Sequence, residues 1–219
     1  MQAIVETGKG VKAVRGEAGQ RNHERTHAAI LDAAIRTIAE FSLSGTTVQR
    51  VAAAAGVSVG AVILHFKSKD ALLVAALELV ASDFEVARRQ ALLTAGKDPV
   101  AALTALIDVS LDPAVSEPDR VAVWSAFWGE AQSRDVYLQR VGALDADYQT
   151  DITRLIGELI ALGGYDHLDA EAVALAFAGL LDGQWQEIMT TGAEYDRNNA
   201  RRIVCLFLAG LFPRHFQRP

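Results

Sequence analysis

The chain has 219 residues, of which 51% are hydrophobic, 22% charged and 7% aromatic, with 17 Gly, 5 Pro, 1 Cys and a formal net charge of −6. That balance supports a sizeable buried core, excludes a collagen-like, low-complexity or wholly disordered chain, and argues against non-specific wrapping of nucleic acid. A single cysteine, Cys205 in an apolar run, excludes an internal disulfide framework or a Cys-based zinc site, and no apolar stretch reaches the ~20 residues of a membrane span, so a cytoplasmic protein with no membrane partner is expected. Residues 1–22 read as a flexible basic tail, because Gly8, Gly10, Gly16 and Gly19 interrupt any periodicity while Lys9, Lys12, Arg15 and Arg21 keep it solvated. The run Gly8 to Ala13 matches GxGxxA, but a dinucleotide site needs that motif inside a βαβ unit, and no parallel sheet is legible nearby.

From about residue 24 the pattern is helical almost throughout. Ile30, Ala33, Ala34, Thr37, Ile38 and Phe41 recur at helical spacing and predict an amphipathic helix that ends before Gly45. Thr46 with Gln49 reads as a capping box for a short helix over 48–55, which Gly56 terminates. Ser58 caps a third short helix over 59–66, and Ser68 or Lys69 opens a long fourth one. Asp98-Pro99 starts a helix that runs to about Ser110, and Ser116, Pro118 and Asp119 start one through Trp124 and Trp128. A long helix from Arg134 closes at Gly163-Gly164, Asp169 caps one through Met189, and Asp196 caps the last, to about Leu211. No stretch alternates with period two. The expected fold is all-α with about nine helices: a helix-turn-helix domain over 23–69 and a helical ligand-binding and dimerisation domain over 70–219.

Charge follows the same division. Residues 1–70 hold nine Lys/Arg against six Asp/Glu, a net of +3, and residues 71–219 hold twelve against twenty-one, a net of −9. A mildly basic front on an acidic body is compatible with nucleic-acid contact by the front alone. Two short helices joined at Gly56-Val57-Ser58 have the shape of a helix-turn-helix or of an ordinary helical hairpin. In the first case Val51, Ala52, Ala55, Val57, Val62 and Phe66 form a small core that aims the third helix at a major groove about 12 Å wide.

The run from Gly45 to Leu73 resembles the DNA-binding signature of the TetR family of bacterial repressors. The Gly45-Thr46-Thr47 start, the Ala55-Gly56-Val57-Ser58 turn, His65-Phe66 and Ser68-Lys69-Asp70-Ala71-Leu72-Leu73 stand in register with it. The resemblance implies double-stranded operator DNA as partner. Thr47 would then cap the second helix and touch phosphate, and Gln49 would read a base edge. Ser58, Val59 and Ala61 would face the groove floor, with Val59 and Ala61 suited to thymine methyl groups, and His65 and Lys69 would contact phosphate. The family usually has Tyr where this chain has Ile63, and a polar or aromatic residue in place of Leu64. Arg50, Lys67, Arg21 and Arg25 would compensate electrostatically, giving weaker or more salt-sensitive DNA binding.

Further along, Trp124-Ser125-Ala126-Phe127-Trp128, Tyr137-Leu138-Gln139-Arg140 and Leu180-Leu181-Asp182-Gly183-Gln184-Trp185 resemble the BetI-type branch, whose namesake represses choline-to-betaine genes. Trp124 and Trp128 share a helix face. With Phe127, Trp185, Asp182 and Glu187 they can form an aromatic cage for a quaternary amine, or they can simply be core with Asp182 bonding a neighbouring helix end. A small-molecule effector is the partner this branch implies. The last two helices carry more apolar residues than one face needs, among them Phe177, Leu180, Leu181, Ile188, Ile203, Leu206, Phe207 and Leu211. In the family the corresponding helices form a four-helix dimer interface, so a homodimer is expected.

Enzyme and cofactor readings find no support. Glu24 to His27 is an isolated ExxH, and His23, His27, His65, His167 and His215 show no metal spacing. No Gly-x-Ser-x-Gly, P-loop or His-Glu-x-x-His occurs. The reading is a DNA-binding regulator, a homodimeric repressor released from a palindromic operator by a small molecule. The alternative is a protein of the same fold that has lost operator binding and serves as a small-molecule or protein-binding module, for which Ile63 and Leu64 speak.

Overall fold

The computed structural model describes residues 7–129 and 134–217, and its described residues form nine α-helices, one 3₁₀ turn and no strand. The helices are α1 (Thr7–Gly45), α2 (Val48–Ala55), α3 (Val59–Phe66), α4 (Lys69–Ala95), α5 (Pro99–Ser110), α6 (Pro118–Gly129), α7 (Arg134–Gly163), α8 (Ala170–Thr191) and α9 (Arg197–Leu211). The chain divides into two compact units after Ala76, within α4. Of the expected tail, residues 1–6 lie outside the described residues, and from Thr7 the chain is already helical. Scattered glycines cost a helix about 1 kcal/mol each but do not forbid it when Lys, Arg, Glu and Ala fill the other positions.

Capping side chains start most helices where the sequence predicts them. Asp98 accepts from the Val100 amide at 3.0 Å, Asp169 from Ala172 at 2.8 Å, Asp196 from Asn199 at 3.0 Å and Ser68 from Ala71 at 3.1 Å. The α2 cap is the one the family resemblance implies, not the one the capping-box spacing suggests. Thr47, not Thr46, accepts from the Arg50 amide at 3.2 Å. Thr46 is fully buried and donates its hydroxyl to the Ser42 carbonyl at 2.7 Å, so it ties off α1 instead.

Each cap is worth about 1 kcal/mol, whereas each buried Leu, Ile or Phe contributes about 1.5–3 kcal/mol, so apolar stripes decide which faces turn inward. In the first unit Ile30, Ala33, Ala34 and Ile38 of α1 are buried, as are Val51 and Ala52 of α2 and Val62 and Phe66 of α3. In the second unit α8 packs against α6, α7 and α9, and α7 also packs against α5. Its core joins Leu103, Leu106 and Ile107 with Ile152, Ile156, Phe177, Leu181, Val204 and Leu208. Cys205 is half-buried against this core, and burial raises its thiol pKa. No single described helix is long and apolar enough to cross a membrane.

One charged group sits inside the apolar body. Arg88 is 2% exposed; its guanidinium pairs with Glu85 at 2.6 Å, also pairs with Asp151, and lies 5.9 Å from the centre of the Tyr148 ring. The cluster therefore ties α4 to α7. Removing the arginine would leave carboxylates facing each other in a poorly solvated place. Arg88→Ala should lower unfolding free energy by about 3 kcal/mol in denaturant titrations.

Ser42 breaks α1 with φ 57° and ψ −179°, a region that favours glycine and costs other residues about 1–3 kcal/mol. The kink is held because the Ser42 carbonyl accepts from both the amide and the hydroxyl of Thr46. Ser42→Gly should raise stability by about 1 kcal/mol, read as an increased melting temperature.

Candidate functional site

Two places gather the residues singled out in the sequence, one in each unit. In the first, α2 and α3 meet at 108°, within the range of helix-turn-helix pairs. The turn depends on Gly56, whose φ of 67° and ψ of 30° lie in the left-handed region. It closes with bonds from the Gly56 and Val57 amides to the Ala53 and Ala52 carbonyls, at 3.2 and 3.0 Å. Ser58 then accepts from the Ala61 amide at 3.1 Å and starts α3. Inward anchors Val62 and Phe66 leave the other face of α3 in solvent.

That outer face is apolar. Ser58 and Val59 are exposed and Ala61 half-buried, while Ile63 and Leu64 are 41% and 66% exposed. Gln49 is exposed on α2 and Thr47 half-buried at its start. The cations are more engaged than charge counting suggests. Arg50 lies over the Phe41 ring at 4.3 Å and bonds the Gly45 carbonyl, Lys67 donates to the Leu64 carbonyl at 3.2 Å, and Lys69 donates to the Ser44 carbonyl at 3.3 Å. These bonds finish helix ends and hold the ammonium and guanidinium groups beside α2 and α3. Lys67 itself adopts φ 67°, which stops α3 at Phe66.

His65 sits in a ring stack that the sequence did not reveal. Its imidazole stacks on His23 at 4.2 Å and tilts against His27 at 5.6 Å, and His27 in turn stacks on Phe66 at 4.5 Å. Burial lowers the His65 pKa, and the neighbouring His23, His27 and Lys67 lower it further. The Nδ1 atom is buried without a hydrogen-bond partner. The lowered pKa favours the neutral imidazole at His65, so the stack carries a polar ring rather than an added charge. Among the described residues no group of three or more His, Cys, Asp or Glu is placed to hold a metal ion.

In the second unit a cavity of about 600 Å³ opens among α4–α8. Four of the five residues expected at a ligand site line it: Trp124, Trp128, Asp182 and Trp185. Phe127 does not. It is 3% exposed and packs inward, since Val123 and Phe127 form the buried stripe of α6 while Trp124 and Trp128 occupy the adjacent one. Glu187 is exposed and also lies outside the lining. Trp128 is 67% exposed at the rim.

The aromatic groups are both core and wall. Trp185 donates its indole N–H to the Ser110 carbonyl at 2.7 Å and meets Phe84 edge-on at 5.4 Å. Trp124 meets Tyr137 at 5.9 Å and Trp185 at 6.1 Å. Among the described residues Asp182 bonds no helix end. It faces the cavity together with Asp145, which accepts from the Tyr137 hydroxyl at 2.7 Å. Partial burial raises the pKa of both carboxyls, and for Asp182 the Asp145 charge adds to it. Burial likewise pushes the Tyr137 and Tyr148 hydroxyls up, so both stay protonated.

Sequence reasoning missed Asp145, Tyr148, Gln149, Phe84 and Ser110. A signal for the first existed: Tyr137, Val141, Tyr148 and Ile152 form the inward stripe of α7, and Asp145 interrupts it at helical spacing. The others are ordinary residues that become a wall only when α4, α5 and α7 are brought together.

Residues 30–76 match the profile of bacterial regulatory proteins of the tetR family, and residues 99–213 that of the BetI-type transcriptional repressor C-terminal region. The chain is 30% identical over 190 residues to the HTH-type transcriptional regulator BetI of Burkholderia ambifaria, spanning 86% of this chain and 93% of that protein. The BetI regulator of Stenotrophomonas maltophilia is 27% identical over 196 residues, 90% of this chain and 92% of its own. A transcriptional regulator from Pseudomonas aeruginosa PAO1 of known structure matches with a TM-score of 0.72 and 27% identity, over 89% of this chain and 95% of its own. A TetR transcription regulator from Haloarcula marismortui shares the fold at a TM-score of 0.69 and 24% identity, over 85% and 98% of the two chains.

The His65 stack has a pH signature. A histidine whose folded-state pKa lies below the unfolded value of about 6.5 takes up its proton more readily when unfolded. Its stabilisation is present above pH 6.5 and is lost as pH falls below it. The melting temperature should therefore drop between pH 7.5 and 5.5, and His65→Gln should show a smaller drop than the parent across the same interval.

Proposed function

The chain belongs to the TetR family of DNA-binding transcriptional regulators, and from that premise we propose a homodimeric repressor that leaves a palindromic operator when an organic cation occupies the cavity among α4–α8. The observation that carries the DNA half is α3 itself, capped at Ser58, held at 108° to α2 and exposed along one face. In a dimer two such helices enter successive major grooves about 34–36 Å apart. Val59 and Ala61 meet thymine methyl groups, Gln49 reads a base edge, and Thr47, His65 and Lys69 contact phosphate. Lys67 and Arg50 add charge beside these contacts. The protein works in the cytoplasm, where the operator is, and it is a regulator rather than an enzyme.

The effector half rests on the cavity. Its aromatic walls and two carboxylates suit a quaternary amine or a related cation, which the ring faces attract and the carboxylates neutralise. A ligand shifts the operator equilibrium only by its difference in affinity between the DNA-competent and released forms. The dimer would form through α8 and α9. Of the residues expected there, Phe177, Leu181 and Ile188 are consumed by the chain's own core, and Leu180, Phe207 and Leu211 are half-buried against it. Ile203, Leu206 and Leu175 remain exposed and form the apolar part of the proposed interface.

The test is a gel shift on the DNA upstream of the protein's own coding region, at several salt concentrations. A discrete complex should resist competitor DNA, weaken with salt and dissociate with a quaternary amine. Ile63→Tyr should tighten the complex about five-fold, since one added hydrogen bond to phosphate is worth about 1 kcal/mol. Absence of a specific complex there and in an unbiased selection of genomic fragments would leave the ligand-binding body as the function.

A further inference from the structure

We propose that the cavity is built for an organic dication: one molecule with two positively charged groups joined by an apolar spacer, one group at Asp145 and the other at Asp182. The inference rests on the cavity being the effector site and goes further by fixing the ligand's charge and shape.

Two carboxylates from two different helices, α7 and α8, line the same space. Among the described residues that line it there is no Lys, Arg or His. Neither carboxylate forms an ion pair with a described residue; Asp145 has the Tyr137 hydroxyl, and Asp182 has no hydrogen-bond donor among the described residues. Other carboxylates of the same unit are matched: Glu85 and Asp151 by Arg88, Asp83 by Arg120 and Asp108 by Arg201. An unmatched pair in a partly desolvated site repels itself, and the raised pKa of Asp182 reflects Asp145 as well as burial. A monocation would neutralise one carboxylate and leave the other exposed to the same cost. A dication removes the repulsion altogether.

The cavity has room for the rest of such a molecule. A cavity of about 600 Å³ lies within the roughly 300–1,000 Å³ typical of drug-sized ligands, far more than one trimethylammonium group fills. Trp124, Trp185, Phe84 and Tyr148 offer ring faces to cationic heads and an apolar surface to the spacer. The wall also holds a buried polar atom with no partner among the described residues, the Nε2 of Gln149. Buried polar atoms are rarely left unmatched, so this is an independent sign that the space is meant to be occupied.

The experiment uses the full chain and its intrinsic tryptophan fluorescence, since Trp124, Trp128 and Trp185 are its three tryptophans and all line the cavity. Calorimetry provides the second readout. The probes are bis(trimethylammonium) alkanes with spacers from propane to decane, each compared with the alkyl trimethylammonium of equal chain length. The best dication should bind at least about ten-fold more tightly than its monocationic counterpart. Asp182→Asn should remove most of that advantage, weakening the dication by a larger factor than the monocation, and Asp145→Asn should do the same. Circular dichroism and melting curves show whether the variants are folded, and Asp182→Glu should restore the preference. Equal binding of dications and monocations, or a preference that survives both Asn variants, would overturn the dication inference while leaving a cation-responsive regulator intact. Failure of every cation to bind would overturn the effector reading as well.

Discussion

The body of this protein depends on the double duty of one helix. α8 buries Val173, Ala174, Phe177, Leu181 and Ile188 in a continuous stripe, and that stripe closes the core against α7 and α9. The adjacent stripe carries Ala178, Asp182 and Trp185, which face the cavity. Because 3.6 residues make a turn, a residue one turn along from a core position can be turned to the next stripe without disturbing the core. Trp185 joins the two roles. Its ring is half core and half wall, and its N–H is fixed to the Ser110 carbonyl at the end of α5. The position of Asp182 is thereby set by packing that has nothing to do with a ligand.

A comparable economy operates in the N-terminal unit. α2 and α3 have eight residues each, too short to be stable as isolated helices. They persist because Val51, Ala52, Val62 and Phe66 are buried and because each end is tied: Thr47 and Gly56 on α2, Ser58 and Lys67 on α3. The basic side chains take part in this, with Arg50, Lys67 and Lys69 each bonding a backbone carbonyl. Their charges remain close to the exposed face even though some of their donors are used. With Ile63 and Leu64 outward, this face offers little hydrogen-bonding capacity to a partner.

The two units handle charge in opposite ways. In the first, three histidines crowd together and the central one is held neutral, so the stack adds surface without adding repulsion. In the second, Asp145 and Asp182 have no ion-pair partner among the described residues, although Arg88 and Arg120 neutralise carboxylates elsewhere in the same unit. Two like charges on one partly shielded cavity wall repel each other, and an oppositely charged ligand relieves that repulsion. Proposed regulation by a cation is consistent with that arrangement: the cavity is least favourable when it is empty.

The sequence by itself determined the class of the fold and the place of nearly every helix, because caps such as Asp98, Asp169 and Asp196 and breakers such as Gly56 act over three or four residues. It also determined the helix-turn-helix and four residues of the cavity wall, since Trp124 and Trp128 share a face at i and i+4, and Asp182 and Trp185 at i and i+3. It did not separate Phe127 from those tryptophans, because adjacent stripes of one helix differ only in which neighbour they meet. Nor did it show that Thr46 serves α1 rather than α2, which the kink at Ser42 decides. The pairing of Asp145 with Asp182, the stacking of His65 on His23 and the burial of Arg88 between Glu85 and Asp151 needed the tertiary structure. Glu85 apart, which is one turn from Arg88 on the same helix, those partners are tens of positions apart in the chain, and only the packing of one helix against another sets the distance between them.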